Sequence, residues 1–233
     1  MKRIDFLRNM GLGLATVSGI SCVKSAVSDS GSTANSEGST NGSSAADCAL
    51  TNAETAGPFP NKTPTKVVYS DIRLDRKGLE LKVNLSIKNK NTGCGPVKDL
   101  FVDVWHCDAD GTYSEYGSAA SSSFLRGRQT TDAAGLVKFA TIFPGWYNGR
   151  ATHIHVHVFN ASGKSLLVTQ IAFPKTVCDN VFKNAPTFYK KGTQDTTNEQ
   201  DNVFSDGFKN EMPTITGSIV DGYILTHTIV VNA

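Results

Sequence analysis

The sequence lacks several features, and each absence narrows the class of protein. Its 233 residues carry a formal net charge of only +2, so no excess of charge points to nucleic acid as a partner. No Cys-x-x-Cys pair occurs, which disfavours a thiolate zinc site. There is no internal repeat, and no segment has a long helical period. What remains is enough chain for one sizeable globular core with appendages.

A long hydrophobic run is also missing from the amino terminus, although an apolar stretch is present. Basic residues precede the stretch from Met10 to Ile20, whose ~11 residues are too few for a bilayer that needs roughly 20. Residues 1–24 are therefore predicted to be an export signal. The segment from Ser18 to Cys22 resembles a bacterial lipobox with Gly19 in place of the usual leucine, which predicts lipidation of Cys22. The alternative is a general secretory signal that is discarded together with Cys22.

The next segment, residues 25–47, consists mainly of Ser, Gly, Thr, Asn and Ala. Such a composition buries too little apolar surface to offset the entropy of ordering, so a flexible tether is predicted. A tether between a lipid anchor and a domain is typical of a surface lipoprotein. We therefore expect export to the outer surface or periplasm of a bacterium with membrane attachment through Cys22, followed by one domain over residues 48–233. A plain disordered spacer is the alternative.

Four cysteines remain once Cys22 is set aside, and an even number in an oxidising compartment permits three ways of forming two disulfides. Cys94 and Cys107 bracket one turn and one strand that doubles back. The expected pairs are Cys94 with Cys107 and Cys48 with Cys178.

Short strands account for most of the remaining sequence. Between Leu79 and Ile87, apolar residues occupy every second position, which predicts a half-buried strand. Further β-rich runs are Leu100 to Trp105, Leu136 to Ile142, His153 to Phe159, Leu166 to Phe173 and Tyr223 to Val231. Turn residues separate them, so an all-β fold is predicted, an antiparallel β-sandwich in which long loops form the functional site. The segment from Val177 to Phe208 is expected to be such a loop, with a short helical turn.

Metal-binding chemistry is indicated by three histidines at alternate positions, His153, His155 and His157, which share one face of the predicted strand. Imidazoles on one face of an apolar strand are costly to desolvate unless something binds them. Tyr113 and Tyr147 offer phenolate oxygen, and a phenol with a pKa near ~10 becomes a good ligand only for a strongly Lewis-acidic ion such as ferric iron.

Over about Thr51 to Phe204, the chain resembles the intradiol ring-cleavage dioxygenases, the family of catechol and protocatechuate dioxygenases. Six blocks in order carry the resemblance: Glu54 to Phe59 (ETAGPF), Val102 to Asp108 (VDVWHCD), Gly111 to Ser114 (GTYS), Phe124 to Gly127 (FLRG), Thr131 to Gly135 (TDAAG), and Phe143 to Tyr147 (FPGWY) continuing through Arg150 to His155 (RATHIH).

The resemblance implies a ferric, non-haem iron site. Its metal ligands would be Tyr113, Tyr147, His153 and His155, while His157 lies outside the ligand set of the family. Arg150 would stabilise negative charge on the substrate, and Gln170 falls where the family has a glutamine near the same ring. Tyr147 would leave the metal and act as a base.

The implied function is an enzyme that cleaves a catechol-type ring between its two hydroxylated carbons, with O2 as co-substrate and a muconate-type dicarboxylate as product. Two alternatives stay open. The first is a non-catalytic surface binding module on the same sandwich. The second is a zinc hydrolase that uses all three histidines of the row, although three ligands along one strand span ~13 Å at about 3.3 Å per residue, which is too far for one ion.

Overall fold

Nine β-strands and one α-helix form the framework of residues 48–233, the part of the chain that the computed structural model describes. The strands are β1 (Glu80–Asn89), β2 (Gly95–Pro96), β3 (Phe101–Trp105), β4 (Arg126–Thr130), β5 (Leu136–Ile142), β6 (His153–Phe159), β7 (Ser165–Ala172), β8 (Thr214–Ser218) and β9 (Gly222–Val231), and the helix is α1 (Lys175–Asn184). The predicted export signal, with Cys22, and the predicted tether lie outside the described residues. Within residues 48–233 no helix is long and apolar enough to span a bilayer.

The first sheet is built around β1. This strand pairs in antiparallel fashion with β2 and β5 and in parallel with β9, which in turn pairs with β8. Every second residue of β1, from Leu81 to Ile87, is buried, as the alternating pattern predicts. The predicted sandwich is therefore confirmed, with the one parallel pair as an addition.

The second sheet has the order β4-β3-β6-β7, and all its pairs are antiparallel. β6 lies in its interior, so both of its faces are largely buried. One face carries Ile154, Val156 and Val158 into the main core, which also includes the apolar residues of β1. The opposite face carries the histidines. Alternation along one strand thus directs the apolar residues to the core and the histidines to the opposite face of the sheet.

The long segment after β7 differs in part from the predicted loop. It begins with α1, three turns whose residues Cys178, Val181 and Phe182 are buried in the main core. The rest is irregular apart from two 3₁₀ turns, Asn202–Phe204 and Lys209–Glu211. Three strands were not among the predicted runs: the two-residue β2, β4 and β8. β4 has no apolar alternation. Its Arg128 instead forms an ion pair with Asp103 of β3 at 2.5 Å.

The predicted disulfides are both wrong, since Cys48 pairs with Cys94, with Cα atoms 5.7 Å apart. Cys94 lies in the turn after β1, whereas Cys107 lies beyond the far end of β3 in the other sheet. The extended run of β3 therefore separates the two cysteines instead of doubling back. Cys178 is buried on α1, and both it and Cys107 are free thiols.

Candidate metal centre and active site

His153 and His155 point from the same face of β6, and their rings converge. Their Nε2 atoms lie 3.2 Å apart, with the rings nearly perpendicular. Nδ1 of His153 donates to the carbonyl oxygen of Ala151 at 2.6 Å, so Nε2 of His153 keeps its lone pair. Two imidazole nitrogens thus meet at one point, as metal ligands do.

The environment keeps both imidazoles neutral. Burial, and secondarily the charge of Arg150, lowers the pKa of His153 to about 3, and burial lowers the pKa of His155 as well. The ring of His155 lies parallel to the indole of Trp105 with centroids 4.8 Å apart, and its buried Nδ1 has no hydrogen-bond partner. A neutral imidazole with a free lone pair is the form that binds a metal ion.

Tyr113 reaches this point from the loop after β3. The carboxylate of Asp108 fixes that loop, because its Oδ1 accepts from the backbone N–H groups of Asp110 and Thr112 at 3.0 and 2.9 Å. Tyr113 is 4% exposed, and its hydroxyl lies 3.2 Å from Nε2 of His153. Burial raises the pKa of Tyr113 well above 10.

Tyr147 comes from the connection between β5 and β6. Its ring centroid lies 5.8 Å from that of Tyr113 and 5.7 Å from that of His153, so all four predicted ligands are brought together. Burial raises the pKa of Tyr147, while the charge of Arg150 opposes that rise. Both phenols are thus protonated in the absence of a strongly positive ion, and a hard, highly charged ion fits this set of two oxygens and two nitrogens.

Arg150 lies beside the four side chains and contacts three partners. Its Nη1 donates to the hydroxyl of Tyr147 at 3.2 Å, and its Nη2 donates to Oε1 of Gln170 at 2.5 Å. Its Nε donates to Asp201, whose two carboxylate oxygens each accept at 2.9 Å. Gln170 in turn donates to the carbonyl oxygen of Thr55 at 2.8 Å. The predicted Arg150 and Gln170 are therefore adjacent to the predicted ligands.

His157 does not join the site. Its Nε2 lies 2.8 Å from the hydroxyl of Ser165, and its ring stacks on Phe159 with centroids 3.8 Å apart. Within residues 48–233 no group of three or more His, Cys, Asp and Glu side chains is arranged to hold a metal. A zinc site made of the three histidines is therefore not formed in the described domain.

Sequence reasoning missed two residues that shape the site. Asp201 is 1% exposed and holds Arg150, yet it lies in an irregular segment among several other acidic residues, and no local pattern marks it. Phe59 stacks on Tyr113 with centroids 4.7 Å apart. Its position directly after Gly57-Pro58, within a block of the family resemblance, was the available signal.

A cavity of about 200 Å³ opens beside Tyr113, and it is lined by Phe59, Gly111, Thr112, Tyr113, Tyr116, Gly117 and Ser118. Larger clefts of about 480 and 490 Å³ lie elsewhere, around His227 and around Arg76. Neither touches the four converging side chains, so size alone does not identify the site of chemistry. The small cavity offers the approach to Tyr113.

The chain is similar in sequence and fold to known proteins. Residues 65–201, more than half of the chain, match a family described as Dioxygenase. Over 109 residues the chain is 36% identical to the protocatechuate 3,4-dioxygenase beta chain of Burkholderia cepacia, covering 40% of this chain and 46% of that protein. Over 122 residues it is 28% identical to chlorocatechol 1,2-dioxygenase of Rhodococcus opacus, covering 44% and 46%. The chain thus spans about half the length of these curated relatives.

Among solved structures, the intradiol ring-cleavage dioxygenase of Tetranychus urticae superposes with a TM-score of 0.71 at 29% identity, covering 79% of this chain and 95% of that chain. The matched family segment contains the four converging side chains as well as Arg150. The chain belongs to the intradiol ring-cleavage dioxygenase family.

Proposed function

We propose that the protein is a non-haem ferric dioxygenase that cleaves a catechol-type ring between its two hydroxylated carbons, consuming O2 and releasing a muconate-type dicarboxylate. One observation carries the proposal: two phenol oxygens and two neutral imidazole nitrogens converge beside the guanidinium of Arg150. The names of the two curated relatives, which refer to protocatechuate and chlorocatechol, support a catechol-type substrate.

Tyr113, Tyr147, His153 and His155 would hold the ferric ion. When bound, the ion supplies a Lewis acid that draws the catechol oxygens to it and makes the ring reactive toward O2. The lone pair on Nε2 of His153 and the Nε2 of His155 that lies 3.2 Å from it fit a role as nitrogen ligands. The two phenols match the preference of a hard ion for oxygen.

The two tyrosines are not equivalent. Tyr113 is buried, whereas Tyr147 is partly exposed and precedes the exposed residues Asn148 and Gly149. Tyr147 would therefore be the oxygen donor that is free to move aside when a substrate binds. Its Oη can then take the proton of a catechol hydroxyl, and the N–H of Arg150 that points at this oxygen stabilises it until the proton arrives.

Arg150 has a second role, which is to stabilise the negative charge of the deprotonated substrate. A guanidinium stays charged at all relevant pH values. It lies in a largely buried setting in which charge is weakly screened, so its effect on a nearby oxyanion is stronger than in water. Gln170 supports it by accepting from Nη2. Trp105 and Phe59 supply apolar walls that limit access of water to the ring of His155 and the ring of Tyr113.

The proposal is tested by loading the purified protein with ferric iron and recording its spectrum and its oxygen consumption. We expect a visible tyrosinate-to-iron charge-transfer band and oxygen uptake with a panel of catechols, with products identified by mass spectrometry. Tyr147→Phe should shift the band and abolish uptake. Tyr116→Phe is the matched control, because Tyr116 contacts Phe59 but donates its hydroxyl to the carbonyl of Pro60.

Three outcomes would overturn the proposal. Colourless protein that does not take up ferric iron would exclude the ferric centre. Coloured protein that binds catechols without consuming oxygen would instead favour the non-catalytic binding module. One zinc per chain with no iron would favour a hydrolase.

We also propose that the chain is exported and lipid-anchored at Cys22. The support is the sequence of residues 1–24, together with the Cys48 to Cys94 disulfide, which suits an oxidising compartment. Expression of the full chain in a bacterium should place it in the membrane fraction, and Cys22→Ser should release it. Ser21→Ala, which keeps a small residue before Cys22, is the control and should stay membrane-bound. Unchanged fractionation of Cys22→Ser would refute lipidation.

A further inference from the structure

Asp201 is a buried carboxylate that contacts the active-site arginine. It is 1% exposed, and both of its oxygens accept from Nε of Arg150 at 2.9 Å. The same carboxylate accepts from the backbone N–H of Ala151 at 2.8 Å and from that of Val203 at 3.0 Å. The carboxylate is thus fully satisfied, which offsets the cost of burying its charge.

These contacts fix the direction of the guanidinium. Nε is held by Asp201 and Nη2 by Gln170. Because the guanidinium is planar, fixing two of its nitrogens also fixes the third, Nη1, and that nitrogen points at the hydroxyl of Tyr147. An arginine without such partners would sample many rotamers and lose much of its effect on a charge that develops at one point.

Asp201 also contacts the residue whose carbonyl oxygen orients a predicted metal ligand. The N–H of Ala151 donates to Asp201, and the carbonyl oxygen of Ala151 accepts from Nδ1 of His153. Ala151 therefore donates to Asp201 through its N–H and accepts from His153 through its carbonyl oxygen. Partners of this kind set the tautomer and orientation of a ligating imidazole.

We propose that Asp201 is a positioning residue of the active site, which acts by aiming Nη1 of Arg150 at the oxygen of Tyr147 and at the substrate oxyanion that replaces it. The inference rests on the proposed dioxygenase function. It adds to that function a residue from the 3₁₀ turn beyond α1, far from β6 in sequence.

The experiment compares Asp201→Asn with Asp195→Asn in the iron-loaded full chain. Asp195 is the matched control, because it is an exposed carboxylate that accepts from the N–H of Gly149, next to Arg150, without touching the arginine. We expect Asp201→Asn to lower kcat by about tenfold or more while KM changes much less, as for lost transition-state charge stabilisation. Asp195→Asn should resemble the wild type.

Two readouts separate positioning from a general loss of structure. The charge-transfer band of the ferric protein should keep its intensity in Asp201→Asn, because the ligands stay in place, but shift in wavelength as the Arg150 contact to Tyr147 changes. In the double variant Asp201→Asn/Arg150→Gln, kcat should equal that of Arg150→Gln alone, because the effect of Asp201 passes through Arg150. Additive losses in the double variant would overturn the inference.

Arg150→Lys is a second variant that tests the same role if Asp201→Asn fails to fold. It keeps the positive charge and leaves the Asp201 carboxylate in place with its two backbone contacts, but it has no Nε–H. We expect it to show the same selective fall in kcat. Full kcat in Arg150→Lys, or in Asp201→Asn, would refute the positioning role. If the wild-type protein consumes no oxygen, the proposed function fails instead, and the two failures are thereby distinguished.

Discussion

The backbone of Gly57 passes so close to His155 that a β-carbon on residue 57 would lie 3.2 Å from Cε1 of the imidazole. Gly57 also has a positive φ of +65°, which costs an L-residue roughly 1–2 kcal/mol. We therefore expect Gly57→Ala to push the ring of His155 from its place against Trp105. Ferric-iron affinity should fall by about tenfold, the size of effect found when the support of a ligating histidine is lost.

Gly93→Ala is the control for that prediction. Gly93 has the same φ of +65°, but no atom would lie within 4 Å of its added β-carbon. It should lose stability to a similar extent and bind iron as the wild type does, measured by titration with ferric iron. Equal iron affinity in the two variants would show that the contact with His155 does not matter.

His157 is predicted to be dispensable for the metal. It contacts Ser165 and Phe159 rather than the converging ligands, so His157→Asn should keep one iron per chain and lose only about 1 kcal/mol of stability, the value of one hydrogen bond. His153→Asn should lose the iron. Metal analysis of both variants checks this, and loss of iron from His157→Asn would contradict the assignment.

The cysteines are predicted to differ in reactivity. Cys107 and Cys178 are buried, and burial raises the pKa of each thiol to about 12, so neither should react with a thiol reagent until the protein unfolds. Peptide mapping without reductant should recover the Cys48 to Cys94 link. Replacing both Cys48 and Cys94 by serine should lower the free energy of unfolding by ~2–4 kcal/mol. Recovery of a peptide linking Cys94 to Cys107 would contradict the structure.

Glu211 makes stability depend on pH. It is buried, and only its Oε1 has a partner, the hydroxyl of Thr169. Burial, and secondarily the charge of Glu54, raises its pKa from 4.5 to about 8. The folded protein thus holds a proton that the unfolded chain releases above pH 4.5, so this contribution to stability is complete below that pH and is lost as the pH rises to 8.

Glu211→Gln is predicted to remove that part of the pH dependence, because glutamine stays neutral. Its melting temperature should exceed that of the wild type at pH 8 by about 2–4 °C, the shift expected for ~1 kcal/mol in a protein of this size. The exposed Glu199, whose pKa is lowered, provides the control Glu199→Gln. Parallel curves of melting temperature against pH for the wild type and Glu211→Gln would disprove the role of this carboxyl.

Regular alternation made much of the fold predictable. The run from Leu79 to Ile87 became β1, and the histidine run became β6, because burial of one face imposes a period of two on the sequence. β4 was not predicted because polar residues occupy its buried positions. Its arginines pair with an acidic residue across the sheet or with a buried oxygen. Only the tertiary structure supplies those partners.

Part of the candidate site could likewise be predicted from the sequence, and part could not. The histidines on β6 were visible in the sequence, and Tyr113, Tyr147 and Arg150 followed from the family resemblance. The structure brings these side chains together, while the role of the two tyrosines and of His153 and His155 as metal ligands stays a prediction. Asp201 and the partner of Cys94 were out of reach, because each contact joins segments whose separation along the chain carries no local signal.

The parallel pairing of β1 with β9 has a consequence for folding. Leu81 pairs with Tyr223, and the register continues to Asn89 with Val231. An interior strand of the first sheet therefore gains one of its partner strands only from the far end of the domain. Contacts between distant segments slow folding because the loop must close before they form. During synthesis β1 keeps one edge unpaired until β9 has left the ribosome, which makes this edge the point at which a nascent chain is open to misassociation.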